Sequence, residues 1–256
     1  MRYPLRIGLK FRKNMVLKMN ETMIDKSGIS YWYPRIKNII PTPKTVIIPV
    51  TNADFKDYEP IYKLLDKMQF ELNNAHITYP LFLKTDIYSE KWEWANSCFV
   101  ESDRYLFTNM IHLLVKCEEE DLGEVKEFVI KEFLSLETAF LAFNNMPVAK
   151  ERRYFIENKQ VLCHHPYWEE NSIEFYSDSY PSDWKQKLND INKETESEIA
   201  YLSELAVLFA RLIDDDGYYS VDFAMDIRGN WYLIDVANGY RSYHNESCQI
   251  FIDKQR

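Results

Sequence analysis

Hydrophobic and polar positions are patterned most clearly near the carboxyl end, between Tyr218 and Gly239. Two runs rich in Val, Ile, Tyr, Phe and Trp flank Arg228-Gly229-Asn230, whose Gly and Asn tolerate positive φ, so the segment predicts a β-hairpin. If the turn is two or three residues long, Asp222 falls opposite Asp235 or one residue from it. Like charges facing each other across a hairpin repel. Either a hard divalent cation such as Mg²⁺ is held between the two carboxylates, or both stand at solvated strand ends.

The remaining pattern is read in chain order. Residues 1–43 show no clear periodicity, and the Tyr31-Trp32-Tyr33-Pro34 cluster is either core or an exposed contact. Thr45–Val50 is a β-branched strand, followed by a helix from about Phe55 to Phe70, capped by Asn52 or Asp54, with apolar positions Tyr58, Ile61, Tyr62, Leu65 and Met68. A second strand, from Tyr79 to Asp86, carries Lys84 near its end, where the ammonium either meets a phosphate or snorkels to water. The tryptophan-bearing stretch after it, Ile87–Trp94, suits a mobile cover over the same cleft.

Ser102 or Asp103 caps a helix through Leu114 or Lys116 with an apolar face of Leu106, Met110, Leu113 and Leu114. The strand Glu124–Leu134 ends in Lys131-Glu132-Phe133-Leu134, where backbone groups and an apolar wall suit an adenine ring, and Glu137 could reach a ribose hydroxyl. In Glu151–Ile156 strand alternation puts Glu151 and Arg153 on one face, as a surface ion pair or as an active-site pair in which Arg153 holds phosphate. His164 and His165, adjacent on the next strand, point to opposite faces, which argues against joint metal binding. One long helix is predicted from Pro181 to about Ile213, with Ser182 as its cap.

Composition narrows the function. The chain has 256 residues, 46% of them hydrophobic, enough to bury a real core. A net charge of -9 argues against general nucleic-acid binding. The four cysteines lack Cys-x-x-Cys spacing, so neither a zinc site nor a disulfide framework is indicated. Reduced thiols, and an amino terminus without a signal-peptide core, lead us to expect a cytoplasmic protein. No apolar run approaches the ~20 residues that span a bilayer. With only six glycines, the chain carries neither a Walker-type loop nor a Gly-x-Gly-x-x-Gly fingerprint, so a nucleotide must be held in another way.

Taken in order, these pieces resemble the ATP-grasp superfamily from about Leu81 to Ser242, and in detail the divergent ATP-grasp proteins of bacteriophages and bacteria. The resemblance implies an α+β fold in which two α+β subdomains grip ATP over residues 79–256, preceded by a small α/β region over residues 1–78. It implies Lys84 and Arg153 on the phosphates, Lys131, Glu132, Phe133, Leu134 and Glu137 around the nucleoside, and Asp222, Asp235 and Asn238 on Mg²⁺. Arg241 would meet a substrate carboxylate or acylphosphate. The chain departs from the family pattern in having Asp235-Val-Ala-Asn238 where Glu-x-Asn is usual, and a Tyr- and Trp-containing cover in place of a glycine-rich one. The activity implied is ATP- and Mg²⁺-dependent joining of a carboxylate to an amine through an acylphosphate, on an amino acid, peptide or protein terminus. The alternative is a non-catalytic ATP-binding chaperone or interaction module of the same fold. Oligomeric state is not legible in the sequence.

Overall fold

The computed structural model describes residues 26–176, 179–244 and 248–250. In chain order the elements are α1 (Ile29–Ile36), β1 (Thr45–Pro49), α2 (Tyr58–Asn74), β2 (Leu81–Thr85), β3 (Phe99–Val100), α3 (Asp103–Glu119), β4 (Glu127–Glu132), β5 (Thr138–Ala142), β6 (Met146–Ala149), β7 (Glu151–Glu157), β8 (Gln160–Pro166), α4 (Glu170–Tyr176), α5 (Trp184–Asn192), α6 (Glu196–Leu212), β9 (Tyr219–Met225) and β10 (Trp231–Asn238). The class is α+β, as expected.

The first sheet has the order β1-β4-β2-β3, with every pair antiparallel. Its helix-covered face joins Val46, Ile48, Leu81, Leu83, Phe128 and Ile130 to the buried stripes of α2 and α3. Side chains alternate along each strand, so Phe82, Lys84, Val129 and Lys131 share the opposite face. The register enforces this, since Phe82 pairs with Lys131 and Lys84 with Val129. Two lysines thereby emerge together on the face that looks away from α2 and α3.

The second sheet has the order β10-β9-β7-β8, again antiparallel throughout. Tyr154, Ile156, Val221, Phe223 and Leu233 on one face pack against α6 and α1. Trp32 settles the earlier ambiguity at residues 31–34: it is fully buried in this core and meets Phe209 edge to face. The other face carries Glu151, Arg153 and Asp222, with Arg153 paired in register to Asp222. Asn158 and Lys159, both at positive φ, make the tight turn between β7 and β8. A third element, the β5-β6 hairpin, brings Phe140, Met146 and Val148 onto Trp94, Trp168 and Trp184.

Several expectations are corrected. The helix anticipated from Phe55 starts at Tyr58 with Asp57 as cap, because Asn52–Phe55 forms a 3-10 turn boxed by Thr51 and Asp54. Tyr58 and Tyr62 are exposed, and Leu64 and Leu72 complete the buried stripe with Ile61 and Met68. The first sheet draws β1 from before residue 78 and β2 to β4 from after it. The single helix expected over 181–213 is two, α5 and α6, separated at Lys193, whose backbone is extended. Ser182 is not the cap; that position falls to Asp183. Thr195 opens α6 by accepting the amide of Glu198 at 3.2 Å, and Thr195-Glu196-Ser197-Glu198 carries the helix-start signature that the apolar stripe obscured.

The break is held by Arg152, which is fully buried. Its guanidinium donates to Glu198 at 2.6 Å and to the carbonyls of Ile191 and Lys193 at 2.9 and 3.0 Å. These are the acceptors that the end of α5 leaves without helical partners. Arg152→Met is therefore expected to lower unfolding stability by about 3 kcal/mol, because it leaves two carbonyls without a donor and takes one of two cations from the buried Glu198 carboxylate, Lys150 remaining at 3.1 Å. Urea denaturation measures this, and a loss below about 1 kcal/mol would show that the break does not depend on Arg152.

Candidate active site

The lysine-bearing face of the first sheet and the arginine-bearing face of the second enclose a cleft of about 750 Å³, counting the part open to solvent. Phe82, Trp94, Phe133, Met146, Trp168 and Ile234 are among the apolar walls, while Lys91, Lys131, Glu151 and Asp235 supply charge. Apolar walls with a few convergent charges are the mixture that a nucleotide site needs.

The geometry of the late hairpin resolves the first question raised by the sequence. Asp222 and Asp235 are direct cross-strand partners, brought opposite by a bulge between Leu233 and Asp235. The turn is built by Asp226, whose carboxylate accepts the amides of Arg228 and Asn230 at 2.9 and 2.8 Å, with Gly229 at φ +83. Neither facing carboxylate is left to repel the other. Arg153 grips Asp222 through two hydrogen bonds of 2.8 Å, and Lys84 holds both oxygens of Asp235 at 3.1 and 2.9 Å. Lys131 donates to the carbonyl of Ile234, the residue at the bulge.

The field around the cleft shifts several groups. Burial opposes ionisation of Asp235, yet Lys84 and Lys131 outweigh it and hold the carboxyl below the usual range. Burial, reinforced by the nearby ammonium groups of Lys84 and Lys91 against the attraction of Asp235, pushes Lys131 down to about 8 from 10.5. Burial also works against the charge of Lys91, but Tyr167 and Glu151 more than offset it and keep the ammonium protonated. Glu151 is pushed up by burial against the pull of Lys91. Its Oε1 accepts the Trp168 indole at 3.1 Å, whereas Oε2 has no hydrogen-bond partner among the described residues.

The residues expected from the sequence divide into two groups. Lys131, Glu132, Phe133 and Leu134 line the cleft, and Lys84, Arg153, Asp222 and Asp235 form the two ion pairs at its edge. Glu132 spends its carboxylate on the amide of Lys44 at 2.8 Å. Asn238 is not beside the two aspartates: it pairs with Tyr219 on the α6 face of the hairpin and caps Tyr240 at 3.0 Å. Three residues beyond Asp235, strand alternation turns it away from the cleft. Glu137 does not line the cleft, and its backbone bonds Met225 and Lys150. Arg241 is exposed on a one-turn helix past β10 and is also outside the lining.

The cover segment is a packed turn, with Trp94 buried beneath the cleft and Trp92 against Phe143. It delivers Lys91, which the sequence left unassigned, to 4.9 Å from the Tyr167 ring centroid. Arg153 lies over the same ring at 4.6 Å. Tyr167 and Trp168 thus complete a wall whose only sequence signal was their position at the exit of β8.

The carboxylates and cations fit a magnesium nucleotide. Two oxygen-ligand carboxylates face each other as a hard cation requires, and Lys84, Lys91, Lys131 and Arg153 are cations within the same field.

Comparison with known proteins agrees with this geometry. Residues 71–251 match the ATP-grasp domain of R2K clade family 3. No curated protein matches the chain. Among solved structures, C-terminally truncated Cdc123 from Schizosaccharomyces pombe is similar over 83% of this chain and 83% of that one, at 14% identity and a TM-score of 0.51. A RimK domain ATP-grasp protein from Sphaerobacter thermophilus matches 83% of this chain and 59% of its own, at 14% identity and a TM-score of 0.45. D-alanine–D-alanine ligase from Bacillus anthracis, complexed with ATP, matches 83% of this chain and 55% of its own, at 14% identity and a TM-score of 0.44. This chain therefore spans little more than half the length of the last two.

Lys131 gives the site a measurable signature. Between about 8 and 10.5 the unfolded chain retains a proton that the folded chain releases, so stability rises with pH across that window. Lys131→Met is expected to abolish this rise, and NMR titration of reductively methylated lysines should show one residue, absent in the variant, titrating near 8. An ordinary lysine titration at this position would remove the assigned field.

Proposed function

Because the chain belongs to R2K clade family 3 of the ATP-grasp domains, we propose that it binds ATP with Mg²⁺ in this cleft and uses it to join a carboxylate to an amine. The observation that carries the reading is the pair of facing aspartates, Asp222 and Asp235, each already matched to a cation, Arg153 and Lys84. A magnesium nucleotide presents the same two charges in the opposite sense. Asp222 and Asp235 would hold the metal, and Arg153 and the lysines the phosphates, so both ion pairs would be replaced without leaving a charge unmatched.

In this reading Glu132, Phe133 and Leu134 border the adenine, with Trp94 and Ile234 as further apolar surface. Lys84, Lys131 and Arg153 bind phosphate oxygens and offset the charge that develops on the transferred group. Mg²⁺, when bound, supplies Lewis-acid neutralisation of the phosphoryl oxygens. A substrate carboxylate oxygen attacks the γ-phosphorus as the bond to the β-phosphate oxygen breaks, giving an acylphosphate and ADP. An amine then attacks the acyl carbon, phosphate leaves, and the amine gives up a proton. Glu151, whose Oε2 has no hydrogen-bond partner among the described residues and whose pKa is raised by burial, is suited to accept that proton. The substrate class we favour is an amino acid, a peptide or a protein terminus.

ATP with Mg²⁺ is expected to stabilise the native chain by about 2.7 kcal/mol at a hundredfold excess over Kd, read by thermal unfolding. ADP and phosphate should then appear only when a pool of amino acids or peptides is added. Asp222→Asn combined with Asp235→Asn should remove the Mg²⁺-dependent part of both signals. A shift with no products from any carboxylate and amine pool would favour the ATP-binding interaction module. No shift at saturating nucleotide would overturn nucleotide binding altogether.

A further inference from the structure

A second constellation lies on the same face of the second sheet as Arg153. Cys163 on β8 meets His244 and Cys248 from the segment after β10, and one donor atom from each lies within 4.8 Å of the others. The sulfur of Cys163 is 3.1 Å from Nε2 of His244. The His244 ring is buried and stacked on Phe155 at 4.0 Å between centroids, which fixes the direction of its nitrogens. Around a zinc-type ion, with bonds of about 2.3 Å to sulfur and about 2.0 Å to nitrogen, tetrahedral donors stand roughly 3.5 to 4 Å apart. The three atoms therefore already have nearly the spacing of a ligand set.

His165 supplies an independent observation. Two residues from Cys163, it shares that face of β8, and its ring centroid is 5.3 Å from that of His244. It is 9% exposed, and its Nε2 has no hydrogen-bond partner among the described residues. Its Nδ1 meets the Pro166 carbonyl at 2.8 Å. A ring N–H given to a backbone carbonyl leaves the other nitrogen with its lone pair available, which is how ligating imidazoles are held. Burial keeps this ring uncharged by lowering its pKa. Burial also pushes the Cys163 thiol up to about 12, a penalty on the thiolate that a bound cation would remove.

We propose that Cys163, His244 and Cys248 form a binding site for a thiophilic, zinc-type divalent cation, bordered by His165 as a further nitrogen donor, which fastens the segment after β10 to β8. Thiolate and imidazole donors select this class of metal over the magnesium suited to Asp222 and Asp235. The ligands come from positions 163, 244 and 248, so no short cysteine motif announces them.

The test uses the full, reduced chain and Co²⁺ alone as the probe. Stoichiometric binding should bring thiolate-to-cobalt charge-transfer bands and tetrahedral ligand-field bands, both lost when Zn²⁺ displaces the probe. Cys163→Ser and Cys248→Ser should abolish the charge-transfer bands, and His244→Ala should weaken binding at least tenfold. Cys117→Ser and Asp222→Asn should leave the bands unchanged, which separates this site from the nucleotide cleft. Zn²⁺ should also shield Cys163 and Cys248 in the unaltered chain from alkylation, located by peptide mass. A folded, reduced chain without charge-transfer bands, bands that survive both serine variants, or cysteines equally alkylated with and without Zn²⁺ would each overturn the proposal.

Discussion

Two carboxylates face each other across the β9-β10 pair, and much of the cleft is arranged around the repulsion between them. As a scale, two like charges about 4 Å apart at an effective dielectric of 20 oppose each other by about 4 kcal/mol, a substantial fraction of the stability of a small domain. The chain offsets this with two cations from two different sheets. Arg153 reaches Asp222 from the neighbouring strand β7, and Lys84 reaches Asp235 from β2 across the cleft. The second pair is therefore also a tie between the sheets. Removing either acid would leave a cation without its partner, so the same four groups serve stability and ligand binding at once.

The three lysines in this field differ because their surroundings differ. Lys84 has a carboxylate in direct contact. Lys91 has Tyr167 and Glu151 to keep it charged. Lys131 is buried, its direct acceptor is a neutral carbonyl, and it sits close enough to the other two to feel their charge. It is the cation for which an arriving phosphate would do most, because a ligand anion would relieve a desolvation that Asp235 offsets only in part. Glu151 is the acidic counterpart, a buried carboxyl with one oxygen lacking a partner among the described residues. Polar groups left imperfectly satisfied in this way accumulate where ligands or protons are handled.

Much of this was legible in the sequence where the signal was local. The β-hairpin follows from two aromatic and β-branched runs around Gly229, and the short turn put Asp222 opposite Asp235 or one residue from it, a choice that the bulge after Leu233 decides. Alternation also put Glu151 and Arg153 on one face. What could not be read was anything requiring a second element: that Arg153 closes on Asp222, that Lys84 reaches the hairpin, or that Lys91 swings in from a 3-10 turn. Asn238 was grouped with Asp235 by proximity in sequence, whereas alternation three residues along turns it to the other face of the hairpin. The break between α5 and α6 was hidden by a continuous apolar stripe, although Thr195 and Glu198 carried the signature of a helix start. Arg152, assigned no role from sequence, is a buried brace.

Arg153 also connects the two constellations on the second sheet. Its Nη1 donates to the carbonyl of Tyr243 at 3.1 Å, while its other nitrogens hold Asp222. Tyr243 immediately precedes His244, and its hydroxyl bonds Glu169 next to the Tyr167–Trp168 wall. The guanidinium is thus positioned from two sides, by the hairpin aspartate and by the backbone of the segment that carries His244 and Cys248. A cation on that segment would restrict the carbonyl that Arg153 binds, and restricting the carbonyl restricts the direction in which the guanidinium meets a phosphate. Since a bidentate guanidinium loses much of its advantage when its plane is turned, the sulfur-nitrogen cluster need not touch a nucleotide to influence how well the cleft receives one.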